Sequence, residues 1–103
     1  MAVVLQIDFT FPAHMMGDAL TQGAQQLAHT INEEPGFISK IWTENASTGE
    51  AGGIYVFTEQ VLAERYAKMH SERVAAMGAT NIRAKIFDIN TQLTDINHGH
   101  YQG

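Results

Sequence analysis

The stretch EAGGIYVFTE, Glu50 to Glu59, decides the fold. Ile54 to Phe57 is an unbroken run of β-branched and aromatic residues, the composition of a buried strand. Successive side chains of a strand alternate in direction, so Ile54 and Val56 point one way and Tyr55 and Phe57 the other. A strand that is apolar on both faces has to be covered on both. Two adjacent glycines, Gly52 and Gly53, lead into it, although glycine in a strand supplies nothing to pack. They mark a place where something approaches the backbone closely.

Immediately upstream, NASTGE (Asn45 to Glu50) reads as a turn and FISKIWTE (Phe37 to Glu44) as another strand, so the two strands form a hairpin. With the turn centred on Ser47 and Thr48, Trp42 lies opposite Gly53 and shares a face with Tyr55 and Phe57. The glycine then makes room either for an indole laid across the strand or for a ligand.

Further upstream, Ala2 to Phe11 alternates, with Val3, Leu5, Ile7, Phe9 and Phe11 on one face, and Pro12 ends that strand. Leu20, Ala24, Leu27 and Ile31 carry helical spacing, predicting one helix from about Met15 to the Pro35-Gly36 break. Downstream, Thr58 is a candidate N-cap, with Glu59 at the positive end of a second helix. Leu62, Tyr66, Met69 or His70, Val74 and Met77 form its apolar stripe, and Gly78 closes it. Thr80 to Ile89 predicts a fourth strand. Arg83 and Lys85 share parity with Phe87 and Ile89, so a bulge is expected among them.

The order β-α-β-β-α-β is the ferredoxin-like arrangement, an α+β fold with a four-stranded antiparallel sheet and both helices on one face. Residues 1–97 form the single domain and 98–103 a flexible tail, with fraying expected after Ile96. Since the helices cover one face only, the doubly apolar third strand requires a second cover. A homodimer with sheet against sheet supplies it, as would a tail or loop folded across that face.

Composition narrows the function. With 103 residues, 45% hydrophobic and 17% charged, the chain builds one core. A formal charge of −5 with only six scattered Lys and Arg argues against nucleic acid as a partner. The absence of cysteine removes disulfides, thiolate metal sites and a Cys nucleophile. No apolar run approaches the roughly 20 residues of a membrane span, so no membrane partner is expected and a cytoplasmic location is. No P-loop, dinucleotide fingerprint, HExxH or nucleophile elbow occurs, so no cofactor is expected. His98-Gly99-His100 has no third ligand nearby in sequence, so no metal site is expected either.

INEEPGF (Ile31–Phe37), KIWTE (Lys40–Glu44), EAGGIYVFT (Glu50–Thr58) and AKIFDIN (Ala84–Asn90) together resemble the YdhR-like monooxygenase family. LQIDFTF near the start and LTDIN near the end extend that resemblance over nearly the whole chain. It implies a dimeric α+β barrel, with a pocket in each subunit between sheet and helices. The activity it implies is that of small oxygenases that act on phenolic aromatics without metal, haem or flavin.

Within such a pocket His70 is the candidate catalytic residue. It borders the sheet-facing stripe one turn after Tyr66, and is either a hydrogen-bonded core residue or a neutral imidazole acting as general base. Arg73, one turn on, either steadies an anion or pairs with Glu72, Glu44 or Glu50. Trp42, Tyr55, Phe57, Tyr66 and Phe9 either line an aromatic pocket or simply fill the core. The expected ligand is a small apolar or aromatic molecule. The alternatives to oxygenation are a binding module for such a molecule and a lyase or isomerase on the same fold.

Overall fold

A computed structural model describes residues 1–103. Its elements are β1 (Val3–Thr10), a short 3-10 turn (Ala13–Met15), α1 (Asp18–Gly23), α2 (Gln25–Ile31), β2 (Phe37–Asn45), β3 (Glu50–Phe57), α3 (Gln60–Ala76), β4 (Thr80–Asp88) and α4 (Thr91–Ile96). The four strands form one antiparallel sheet in the order β2-β3-β1-β4. This is the ferredoxin-like α+β fold.

Alternation in β1 buries Val3, Leu5, Ile7 and Phe9 in strict period two. β3 lies beside it in the register Leu5 to Tyr55 and Val3 to Phe57, so the helix-facing side chains of both central strands meet in one layer. The hairpin register is the expected one, with Trp42 opposite Gly53. On the opposite face, Ile41 pairs with Ile54, and Phe87 stands on β4 next to Val4. Those three apolar side chains are 65%, 38% and 48% exposed. The end of the chain returns towards β2, where a Cβ on Gly103 would sit 4.0 Å from Ile38.

Three local expectations are corrected. The first helix is two short ones, α1 and α2, broken at Ala24, whose φ of −101° and ψ of 8° are not helical. Gly23 before it is a weak helix former, which explains a break there. Thr58 does not cap α3: Glu59 holds the N-cap position, without a side-chain hydrogen bond, and the Thr58 N–H is spent on the Gly36 carbonyl at 2.8 Å. The β4 bulge lies before Arg83, between the pairs Asp8–Arg83 and Thr10–Thr80, where Asn81 adopts φ 51°. Arg83, Lys85 and Phe87 therefore do share the open face, because nothing shifts the register between them. In addition, the segment after β4, for which no element was expected, forms α4, capped by the Asn90 side chain accepting from the Leu93 N–H at 3.1 Å.

α3 ends as expected. Gly78 has φ 106°, its N–H donates to Ala75 and the Ala79 N–H donates to Val74, the paired bonds of a Schellman motif. That clean stop lets Val74, His70, Tyr66 and Ala63 bury one continuous stripe against the sheet. No helix is long and apolar enough to cross a membrane.

Candidate active site

The two glycines of β3 do different work. A Cβ on Gly52 would run into the Ile7 carbonyl, so this residue is glycine because β1 passes too close. A Cβ on Gly53 would lie 2.7 Å from Lys40 Cε and 3.1 Å from the Tyr55 ring. The occupant of that space is thus the aliphatic stem of Lys40, together with Tyr55, and not the Trp42 indole. Lys40 pairs with Tyr55 across the hairpin, which aims it at the helix layer. Its Nζ sits 3.3 Å from the centroid of the Trp42 ring and 4.6 Å from that of Tyr55. Gly53 is what allows an ammonium to be held between two aromatic rings.

Behind Lys40 lies a packed polar chain. Tyr66 O–H donates to the Tyr55 hydroxyl oxygen at 3.3 Å, and Arg73 Nη2 donates to the Tyr66 oxygen at 3.4 Å. Arg73 also reaches His70 Nδ1, through Nε at 3.2 Å and Nη2 at 2.8 Å. The imidazole stacks on Tyr66, with ring centroids 5.1 Å apart and planes at 18°. A guanidinium has only donors, so His70 Nδ1 is the acceptor and the neutral ring carries its proton on Nε2. Burial, then the charges of Lys40 and Arg73, push His70 down to about 3. Burial, reinforced by Arg73, pulls Lys40 down to about 7. Burial holds the hydroxyls of Tyr55 and Tyr66 above their usual range. Near neutral pH this leaves one group that exchanges a proton, and it is Lys40.

Lys40, Trp42 and His70 border a cavity of about 30 Å3 with Phe9, Phe11, Val74 and Met77. It is large enough for water, not for an aromatic ring. Two larger cavities meet it at Leu20. One, of about 190 Å3, lies between Trp42 and the α1–α2 segment. The other, of about 310 Å3, runs from Phe11 and Met15 to Arg73. Leu20 of α1 lines all three, so one side chain partitions the space.

The expected site residues are therefore distributed as follows. His70, Arg73, Tyr55 and Tyr66 are joined by hydrogen bonds and ring contacts, and Trp42 and Phe9 form cavity walls. Phe57, fully buried, supports Tyr66 from below at 5.3 Å between centroids and borders none of these cavities. Arg73 does not pair with Glu44 or Glu50. Glu44 accepts from the Gly17 N–H at 2.7 Å, and Glu50 bridges Arg83 at 2.8 Å. No three metal-ligating side chains converge anywhere in the fold.

A family model described as "Putative mono-oxygenase ydhR" matches residues 4–100. The chain belongs to the ydhR family. No curated protein matches it. The ydhR match covers every residue of the cluster just described. Lys40 was the residue that sequence reasoning missed, although its signal was present. It has the same strand parity as Trp42, and a lysine two positions from a core-facing tryptophan points into the core.

Proposed function

We propose that this member of the ydhR family is a monooxygenase that needs no cofactor and acts on a phenol-like aromatic between the sheet and the helices. The supporting observation is Lys40, an amine with its pKa drawn to about 7, set between two aromatic faces on a wall whose only other ionisable side chain is His70. A base poised near the working pH is what phenol deprotonation requires. The Lys40 amine takes the phenol proton, and the ammonium it becomes stays beside the phenolate. The phenolate passes one electron to dioxygen, and the two radicals combine as a peroxide on a ring carbon. Cleavage of the O–O bond, with loss of the hydrogen on that carbon, leaves a quinone carbonyl and releases water. The substrate loses two hydrogens and gains one oxygen atom, so it supplies all four electrons and no other reductant enters.

His70 fits this scheme as a hydrogen-bond donor through Nε2 rather than as the base, because its Nδ1 is taken by Arg73. Trp42 and Phe9 hold the ring, and Tyr55 and Tyr66 fix Lys40 and His70 in place. The aromatic occupies the flanking cavities once Leu20 turns aside, and the dry wall strengthens the charge interactions within it.

Oxygen uptake with a panel of hydroxylated polycyclic aromatics tests the proposal. One dioxygen consumed per quinone formed is the expected stoichiometry. Lys40→Met lowers turnover by roughly 10²-fold or more, the usual loss of a general base, and His70→Ala lowers it less. Full turnover in Lys40→Met refutes the base assignment. Ligand-induced thermal stabilisation without any oxygen uptake identifies a binding module instead.

We also propose that the working unit is a homodimer joined through the open sheet face, on the strength of the exposed Ile41, Ile54 and Phe87. Sedimentation of the wild type at dimer mass, and of Ile54→Glu at monomer mass, is the expected pair of results. A monomeric wild type rejects it.

A further inference from the structure

Lys40 and Arg73 are two half-buried cations that line adjoining cavities, and neither has an acidic partner. Arg73 spends its hydrogen bonds on a neutral imidazole and a neutral phenol, and Lys40 rests on aromatic faces. The single ion pair of the fold, Arg83–Glu50, lies elsewhere. Cations withdrawn from water and left unpaired are unfavourable, and a fold retains them where a bound anion completes the set. A neutral phenol ionised by Lys40 would answer one of these charges. It leaves the arginine, which is always protonated, without a counterion.

We infer that the substrate is a hydroxyaryl carboxylate, its hydroxyl directed to Lys40 and its permanently ionised carboxylate to Arg73 in the adjoining cavity. This rests on the phenol-like substrate proposed above and adds a charged handle to it. The surroundings suit such a molecule. Trp42 and Tyr55 offer flat faces beside Lys40, and Arg73 borders the larger flanking cavity, whose other lining residues bear no charge. Arg73 Nη1, which makes no hydrogen bond within the fold, is left to donate to a carboxylate while the planar ring lies along the apolar wall.

Linkage provides a signature that packing alone does not. The ionisable neighbours of Lys40 are Arg73, His70, Tyr55 and Tyr66, with Glu34 near enough to act on Tyr66. Burial keeps His70 and both tyrosines neutral near pH 7, so Lys40 is the group whose charge a bound anion can change. An anion without a hydroxyl, bound at Arg73, raises its proton affinity and takes up protons from solution around and above pH 7, whereas a hydroxyaryl carboxylate brings the proton that Lys40 accepts and takes up fewer.

Calorimetric titration of the intact protein with naphthoate, naphthamide and hydroxynaphthoate, in buffers of differing ionisation enthalpy, tests this. Naphthoate is expected to bind at least about tenfold tighter than naphthamide, with proton uptake for the acid and none for the amide. Arg73→Gln is expected to abolish the preference, and Lys40→Met to abolish the proton uptake. Circular dichroism of both variants shows whether they fold, and wild-type discrimination stands as a test without them. Equal affinity for naphthoate and naphthamide overturns the carboxylate handle and leaves the phenol-like substrate intact. Tight binding of hydroxynaphthoate without oxygen uptake supports the anion site and refutes the oxygenase reading instead.

Discussion

Tyr66 of α3 and Leu20 of α1 hang from helices over the same face of the sheet, yet their surroundings differ sharply. Tyr66 is 3% exposed and sits in a continuous stack with Tyr55, Phe57 and His70. Leu20 is half-exposed and separates three cavities. The cause lies in the helices. α3 runs 17 residues without a break and ends in a Schellman motif. α1 and α2 have six and seven residues and meet at a non-helical Ala24. Helices that short are marginal by themselves and hold their place only through packing, so the α1–α2 side of the layer is the side that can yield. The functional groups lie on the boundary. Arg73 and His70 come from the rigid side, Lys40 and Trp42 from the strand facing the yielding one.

The largest effect expected on this contrast comes from the sheet beneath it. Gly52→Ala drives a Cβ into the Ile7 carbonyl and cannot be relieved without parting β1 from β3, so a loss of more than about 4 kcal/mol is expected in denaturant unfolding. Next, Tyr66→Ala empties the solid half and should cost about 3–5 kcal/mol, as large aromatic truncations do. Leu20→Ala should cost well under half of that, roughly 1 kcal/mol, and should tighten binding of aromatic ligands by joining the three cavities. Equal losses at the two positions would erase the distinction between the halves.

Stability against pH sharpens the comparison from the charge side. His70 stays neutral in the fold down to about pH 3, against an ordinary 6.5. Between those values only the unfolded chain takes the proton, so stability falls as pH drops from 6.5 to about 3. Lys40 acts in the same sense higher up. With a folded value of about 7 against 10.5, stability rises with pH through that interval, until ionisation of unfolded tyrosines opposes it near 10. Melting temperature measured across pH should lose its acid limb in His70→Gln and its alkaline rise in Lys40→Met. The smallest effect is expected from Gly53→Ala, where the clash is with the end of a flexible lysine. Stability should change by about 1 kcal/mol or less, while Lys40, pushed off its rings, titrates closer to 10.5 by NMR.

Much of this was legible beforehand, for identifiable reasons. The alternation of Val3, Leu5, Ile7 and Phe9 and the helical spacing of Tyr66, His70 and Val74 are written in local periodicity, which survives any tertiary context. The Trp42–Gly53 register followed from a short turn, because a hairpin loop sets the pairing of both its strands. The broken first helix was harder to see, since its apolar spacing continues smoothly through Ala24 while the backbone does not. Lys40 was passed over for a related reason: composition marks a lysine as a surface residue, whereas its direction is set by the strand it sits on. His70 was found, but the Arg73 contact that fixes its tautomer reads equally well as a solvated arginine one turn away.

By itself the sequence determined the order of the four strands and of α3, the face each buries and the membership of the aromatic cluster, since all three depend on residues a few positions apart. The tertiary structure alone decided which charge lies against which ring. The proton affinities of Lys40 and His70 arise from burial and from charges brought together by folding, across a strand pair and a helix distant in the chain. Chemistry at this site is a property of that convergence, and no local pattern encodes it.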